Sequence, residues 1–285
     1  MDTPQTRLSQ LRRLAWACAV LVLAITSLSA FIRLSRAGLG CEPWPRCYAE
    51  RAAMTPQALD ALDTAAVRSA RMAHRVVASV ALLLVIFMLV KSLGQQPVLA
   101  RQGRLVLGLL GLALFLAILG RMAGPSRAAL VGVGNLLAGL AMFALSLRLV
   151  QATGAPSSSS TPPRAWTLAA VGLLLLQIAL GGLVSVTQLS DRCGEAALCQ
   201  WHRGTALVVL ALLVPLGVAT MRRGARGLGG VLVLLALAQA GLGLAMLWVA
   251  AVPLALGLAH NVLAGLLLAT LFALLPAPAA VSPSP

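Results

Sequence analysis

Charged residues are scarce in this sequence, and acidic residues are scarcer still. Of its 285 residues only 10% are charged, with 7 Asp+Glu against 22 Lys+Arg. Hydrophobic residues make up 60% of the chain, and the mean hydropathy is +0.93. A soluble domain carries about a quarter charged residues, which is far more than this chain contains. The composition therefore excludes an ordinary soluble domain and predicts an integral membrane protein.

The few charges are strongly unbalanced, with a formal net charge of +15. In a soluble chain this excess would indicate a nucleic-acid partner. Here the arginines fall in short clusters between apolar runs, such as Arg12-Arg13 and Arg222-Arg223. Clusters of this kind fix the orientation of membrane proteins and contact anionic headgroups. We therefore expect membrane lipid, and no nucleic acid, as a partner.

Apolar stretches long enough to span a bilayer occur eight times. They cover residues 14–34, 74–93, 104–121, 127–147, 166–188, 202–221, 227–250 and 254–275. The first is too long for a signal peptide and is interpreted as a retained span. Bilayers admit only helices or closed barrels, and these runs lack the alternation of barrel strands. The sequence therefore predicts an all-α membrane protein with eight transmembrane helices.

The chain divides into two related halves, residues 1–153 and 166–276, joined by a flexible linker at 154–165 and followed by a disordered tail at 277–285. Three motifs recur in the same order. GNLLAGLAMFAL from Gly134 matches HNVLAGLLLATL from His260, the residues around His74 match those around His202, and each half contains Cys-x5-Cys. Because each half has an even number of spans, the repeat predicts two four-helix bundles related by a pseudo-two-fold axis.

The cysteine pairs Cys41/Cys47 and Cys193/Cys199 lie in the loops after the first and fifth spans. The longest loop and six of the seven acidic residues share that side of the membrane, whereas the basic residues are divided equally. We therefore place these loops in the periplasm of a bacterial inner membrane and the termini in the cytoplasm. Oxidising conditions there favour a disulfide within each pair, serving either as a structural staple or as a redox-active pair.

Only three histidines occur, and each lies near the outer end of a predicted helix. His74 and His202 open the second and sixth spans, and His260 lies about six residues into the eighth, so all three are expected within about 10 Å of the outer boundary. A lone intramembrane histidine often serves as an interhelical hydrogen-bonding group. Two at equal depth in one half, His202 and His260, instead predict the axial ligands of a heme iron. Zinc would need further ligands that the sequence does not offer at this depth.

An arginine follows the histidine in both halves, as Arg75 and Arg203. Guanidinium groups at the outer boundary suit the carboxylates of heme propionates, which stay ionised near water. The alternative is that both arginines contact lipid headgroups. The sequence leaves these two interpretations open.

Several motifs together resemble the heme A synthase family. They are GLGCEPWPRC (38–47), AHR (73–75), QIALGGLVSVTQ (177–188), the second Cys-x5-Cys, WHRGTA (201–206) and HNVLAG (260–265). The resemblance implies a heme b held by His202 and His260, and a heme O substrate held near His74. It also implies oxidation of the C8 methyl of heme O to the formyl group of heme A during terminal-oxidase maturation. Heme O synthase or oxidase assembly factors are the partners that it suggests.

This sequence departs from the family pattern in its first half. The family has a second histidine in the fourth helix, where Gly134 stands beside Asn135, and an acid three positions before the first histidine, where Arg71 stands. A heme bound through His74 alone would keep an open position that suits O₂ activation. Arginine in place of an acid, however, reverses the local charge and removes a proton-handling group.

Three functional hypotheses follow from the sequence. The first is an enzyme of the heme A synthase type. The second is a non-catalytic b-type heme protein acting in electron transfer or cytochrome oxidase assembly. The third, a transporter, is suggested by the repeat, but the predicted spans contain none of the acidic residues expected of one.

Overall fold

The structure, a computed structural model, describes residues 3–36, 64–123, 129–154, 162–187, 196–249 and 252–275, together with residues 50, 54, 55 and 58. This part of the chain contains eight long helices and no strand. They are α1 Pro4–Arg36, α2 Ala65–Leu93, α3 Ala100–Ala123, α4 Ala129–Ala152, α5 Arg164–Thr187, α6 Ala197–Arg222, α7 Arg226–Trp248 and α8 Leu254–Leu274. Each is long and apolar enough to cross a membrane, which confirms the predicted fold class.

The first helix begins about three turns before its apolar window. Arg7 lies in this extension and is only 1% exposed. Its guanidinium donates to the carbonyl oxygen of Lys91 at 2.8 Å, of Pro97 at 2.9 Å and of Gln95 at 3.2 Å. Carbonyl groups at a helix C-terminus lack partners within the helix. The extension of α1 therefore stabilises the end of α2 and the turn that follows it.

The second helix also begins earlier than the hydropathy predicts, at Ala65. The side chain of Thr64 accepts a hydrogen bond from the backbone nitrogen of Val67, which caps the first turn. His74 therefore lies nine residues inside α2, and the prediction that it opens this helix is wrong. The apolar window marks the part of the helix suited to lipid, whereas the polar first turns are fixed by capping.

The helices pack as two adjoining rings of four. In the first ring α1 and α3 each pack against α2 and α4, and in the second α5 and α7 each pack against α6 and α8. The rings meet where α4 packs against α5 and α8, and where α1 packs against α8. Exchanging α1–α4 with α5–α8 leaves these neighbours unchanged, as a repeat of two four-helix bundles requires. The proposed linker lies mostly outside the described residues, so the domain boundaries stay predictions.

Small residues bring the two rings into close contact. A Cβ added at Gly265 of α8 would lie 3.0 Å from Leu140 Cδ2 of α4, and one at Gly182 of α5 would lie 3.0 Å from Leu136 Cδ2 of the same helix. Helix association within a membrane depends on such close packing, because lipid supplies little hydrophobic driving force. Both rings thus contribute to one continuous core of buried apolar side chains.

Candidate functional site

His202 and His260 lie on α6 and α8, which occupy opposite corners of the second ring. His202 is five residues from the start of α6 and His260 six residues from the start of α8, so both lie about 8–9 Å along their helices. Both side chains are half-buried. The structure therefore brings the two predicted ligands together at the same end of one ring.

The His202 imidazole packs directly against a glycine of α5. A Cβ at Gly181 would lie 2.8 Å from Cε1 and 3.3 Å from Nε2 of His202. One turn earlier, the Gln177 amide nitrogen lies 3.1 Å from His202 Nδ1 and donates to the His202 carbonyl oxygen at 2.9 Å. The Thr205 hydroxyl donates in turn to Gln177 Oε1. The position of the ring is thus fixed by a close contact and by a short chain of hydrogen bonds.

The bond between Gln177 and His202 is linked to the position of the imidazole proton. When the Gln177 amide nitrogen donates to His202 Nδ1, Nδ1 is the acceptor and the ring proton is on Nε2. A histidine that ligates metal through Nε2 instead donates from Nδ1–H to an acceptor. Turning the Gln177 amide over would place Oε1 opposite Nδ1, and the Thr205 hydroxyl suits either orientation because it both donates and accepts.

His260 meets α7 through a matching pair of residues. A Cβ at Gly243 would lie 3.5 Å from His260 Cε1. Gln239 precedes Gly243 by four residues, as Gln177 precedes Gly181, and therefore lies one turn away on the same face of its helix. In the described part of the chain, His260 Nδ1 and Gln239 Oε1 are buried without a hydrogen-bond partner. This corner of the ring thus has unused hydrogen-bonding capacity.

Arg33 of α1 connects the first ring to this site. Its guanidinium donates to Asn261 Oδ1 of α8 at 3.1 Å and, more weakly, to Ser185 Oγ of α5 at 3.4 Å. Asn261 directly follows His260 in the sequence. The bridge therefore joins helices of both rings at the level of the His260 ligand position.

The first ring has no matching histidine pair. His74 of α2 is half-buried, and the opposite corner carries Gly134 of α4, where a Cβ would lie 3.2 Å from Leu119 Cδ1 of α3. Arg71 precedes His74 by three residues and lies about one turn from it on the same side of α2. The two rings share an arrangement of helices but differ in the groups at their ligand corners.

Comparison with known families identifies the chain. The COX15-CtaA family, described as cytochrome oxidase assembly protein, matches residues 12–200. The chain belongs to this family. The resemblance to heme A synthases is thereby confirmed, and this is a family associated with heme, with heme O as substrate, in a membrane setting. No curated protein sequence matches the chain.

The match to the COX15-CtaA family covers the first ring, α5 and the start of α6. It ends before His202 and His260, so it does not include the histidine pair. Family membership therefore rests mainly on the first ring. The assignment of ligands in the second ring rests on the geometry described above.

Three of the remaining predicted residues, Arg75, Arg203 and Cys199, lie in the described part of the chain. Arg75 is exposed and Arg203 is half-buried, and each directly follows a histidine. Cys199 is buried in the first turn of α6. The other three paired cysteines, Cys41, Cys47 and Cys193, lie outside the described residues, so both disulfides stay predictions.

Five residues near the histidine pair were not predicted from the sequence. They are Arg33, Gln177, Gly181, Gln239 and Gly243. The spacing Gln-x3-Gly, present as QIALG in α5 and QAGLG in α7, was a usable signal. In the second ring the spacing recurs in the helix before each histidine-bearing helix, which distinguishes it from an isolated polar residue.

Proposed function

We propose that this protein is a membrane oxidoreductase of the heme A synthase type. It oxidises the C8 methyl of heme O, held in the first ring, and uses a heme b held by His202 and His260 in the second. The observation that carries this proposal is the pair of imidazoles at equal depth on opposite corners of one helical ring. Family membership supports the reaction class.

The residues of the second ring fit a heme. Imidazole is a common axial ligand of heme iron, and ligand sites in helical bundles are built from side chains on facing helices. Gly181 and Gly243 let the two imidazoles pack closely against α5 and α7, and the unpartnered His260 Nδ1 leaves that nitrogen available to carry the ring proton while Nε2 ligates iron. A heme b in this position would supply one-electron transfer. Arg203, next to His202 and half-buried, would pair with its propionates.

The first ring would bind the substrate through His74. Because Gly134 occupies the opposite corner, this ring offers one imidazole and leaves the other face of the macrocycle without a histidine from that position. An open face suits a reaction that uses O₂. Arg75, exposed beside His74, would pair with the substrate propionates near water.

Two substitutions favour a second candidate, a non-catalytic b-type heme protein that acts in electron transfer or cytochrome oxidase assembly. Gly134 removes one ligand, and Arg71 places a positive charge one turn from His74, where the resemblance implies an acid. A proton-handling group would then have to come from elsewhere in the first ring. In this candidate the second ring binds heme b, and the first ring does not oxidise heme O.

The proposal also covers the membrane location of the protein and the oxidation state of its paired cysteines. The protein would lie in a bacterial inner membrane with cytoplasmic termini, and the Cys41–Cys47 and Cys193–Cys199 disulfides would form on the periplasmic side. Cys199 lies at the end of α6 that also carries His202. Partners of the enzyme would include heme O synthase or oxidase assembly factors.

Heme extraction tests the enzymatic proposal. In cells that make heme O but lack their own heme A synthase, the chain is expected to generate heme A or its hydroxylated precursor, measured by chromatography of extracted hemes. His74→Ala should abolish both products while the protein retains heme b. If the wild-type chain accumulates with heme b but forms neither product, the enzymatic proposal is wrong and the second candidate stands.

A further inference from the structure

We infer that Gln239 is a positioning residue for His260, and that its Oε1 accepts a hydrogen bond from His260 Nδ1–H when His260 ligates heme. The inference rests on the proposed heme in the second ring. It assigns a role to a glutamine within a transmembrane helix, where an amide has no water to satisfy it.

The first observation is that the two helix pairs of the second ring have the same construction. In the α5–α6 pair, Gln177 reaches the His202 ring, and Gly181 one turn later packs against that ring. In the α7–α8 pair, Gly243 packs against His260, and Gln239 again lies one turn earlier. Both pairs run in the same order, from a glutamine-bearing helix to a histidine-bearing helix. The placement of Gln177 beside His202 therefore indicates a matching placement of Gln239 beside His260.

The second observation is that the two unpartnered atoms are chemically complementary. His260 Nδ1 and Gln239 Oε1 are both buried without a hydrogen-bond partner in the described structure. When Nε2 ligates iron, the ring proton must reside on Nδ1, which then becomes a donor. The carbonyl oxygen of a glutamine amide is an acceptor. Heme ligation would thus create the donor that the Gln239 oxygen lacks.

Gln177 contacts its imidazole and is itself held by Thr205, which fixes the position of the His202 ring. Ligation of iron by Nε2 of His260 would fix the ring proton on Nδ1, and Gln239 Oε1 would accept a hydrogen bond from it. An acceptor at Nδ1–H makes an imidazole a stronger ligand and stabilises the oxidised metal. Loss of this acceptor should weaken heme retention and raise the reduction potential.

The test compares three glutamine variants of the purified full-length protein. Gln239→Leu removes the acceptor at similar volume, and Gln239→Glu keeps an acceptor. Gln102→Leu is the control, because Gln102 of α3 bonds to the Ala152 carbonyl oxygen in the first ring. Heme retention is followed as transfer to excess apomyoglobin, and the potential by redox titration.

Gln239→Leu is expected to weaken heme retention by about 10- to 100-fold, the usual effect of removing an outer-shell partner of a metal ligand, and to raise the potential. Gln239→Glu should retain heme nearly as well as the wild type and lower the potential. The Gln102→Leu protein should match the wild type in both measurements. Thermal unfolding of each variant identifies any general loss of folding. Wild-type retention and potential in a folded Gln239→Leu protein would overturn the inference, as would a Gln239→Glu protein that behaves like Gln239→Leu.

A His260→Ala variant in the same assays distinguishes failure of the inference about Gln239 from failure of the proposed heme b site. If the wild-type protein carries no heme, or if His260→Ala leaves its spectrum unchanged, the proposed heme site itself is wrong. If His260→Ala removes the spectrum and Gln239→Leu changes nothing, only the role of Gln239 is wrong.

Discussion

Replacing His260 with alanine is expected to abolish the six-coordinate low-spin heme spectrum of the purified protein. The methyl group of alanine cannot ligate iron, and the opposite corner supplies only His202. The remaining pigment should be five-coordinate and high-spin, or lost during purification. Optical spectra of the oxidised and reduced protein, together with electron paramagnetic resonance, measure the change. His202→Ala should give the same result.

The matched control for this prediction is His74→Ala. His74 is also a half-buried histidine near the same end of the helices, but it belongs to the first ring. Its removal should leave the low-spin spectrum of the second ring intact. A low-spin spectrum that survives His260→Ala, or one that disappears only with His74→Ala, would contradict the assignment of the low-spin heme to the second ring.

Replacing Gly181 with valine is expected to displace the His202 imidazole and so to remove low-spin heme. The first added carbon alone would lie 2.8 Å from Cε1 and 3.3 Å from Nε2, which is closer than van der Waals contact allows. The ring must then move away from α5, and its contact with Gln177 is lost. Overpacking of this kind typically destabilises a protein by about 1–3 kcal/mol. Optical spectra and thermal unfolding report the two effects.

Gly172→Val provides the control for this variant. Gly172 lies on the same helix, and a Cβ there would have no neighbour within 4 Å. Its valine variant should keep the wild-type spectrum and stability. Equal spectra for the two valine variants would contradict the view that Gly181 sets the position of His202.

The number and order of the helices were predictable because lipid imposes a length and a composition on every span. The starts of α1 and α2 were not, since their first turns are polar and are held by specific contacts. Arg7 donates to carbonyl groups 84 and 90 positions later in the sequence, and Thr64 caps a turn through its own side chain. A hydropathy profile contains no information about either of these hydrogen-bonding interactions.

The placement of His202 and His260 at equal depth in one half was predictable from the sequence, whereas the repeated Gln-x3-Gly spacing did not by itself show which residues it contacts. A single Gln or Gly within an apolar run carries no indication of which helix it faces. Only the packing of α5 against α6 and α7 against α8 shows that Gly181 and Gly243 lie beside imidazoles. Arg33 was missed for a similar reason, because an arginine near a helix end is usually a headgroup contact.

The two rings support different parts of the proposed function. The family match covers the first ring, which nevertheless carries Gly134 and Arg71 where the family resemblance implies a ligand and an acid. The second ring lies mostly beyond that match, and the heme b proposed there rests on its two imidazoles and on the residues beside them. The heme b site and the oxidation of heme O are therefore separable claims, and the first must hold before the second is tested.

The most direct test of the heme b site is the pigment of the wild-type protein, purified in detergent from heme-replete cells. We expect a stoichiometric b-type heme, identified by its pyridine hemochrome, with the six-coordinate low-spin spectrum of two imidazole ligands. A folded but colourless protein, or one whose heme is entirely five-coordinate and high-spin, would contradict the assignment of His202 and His260 as a ligand pair.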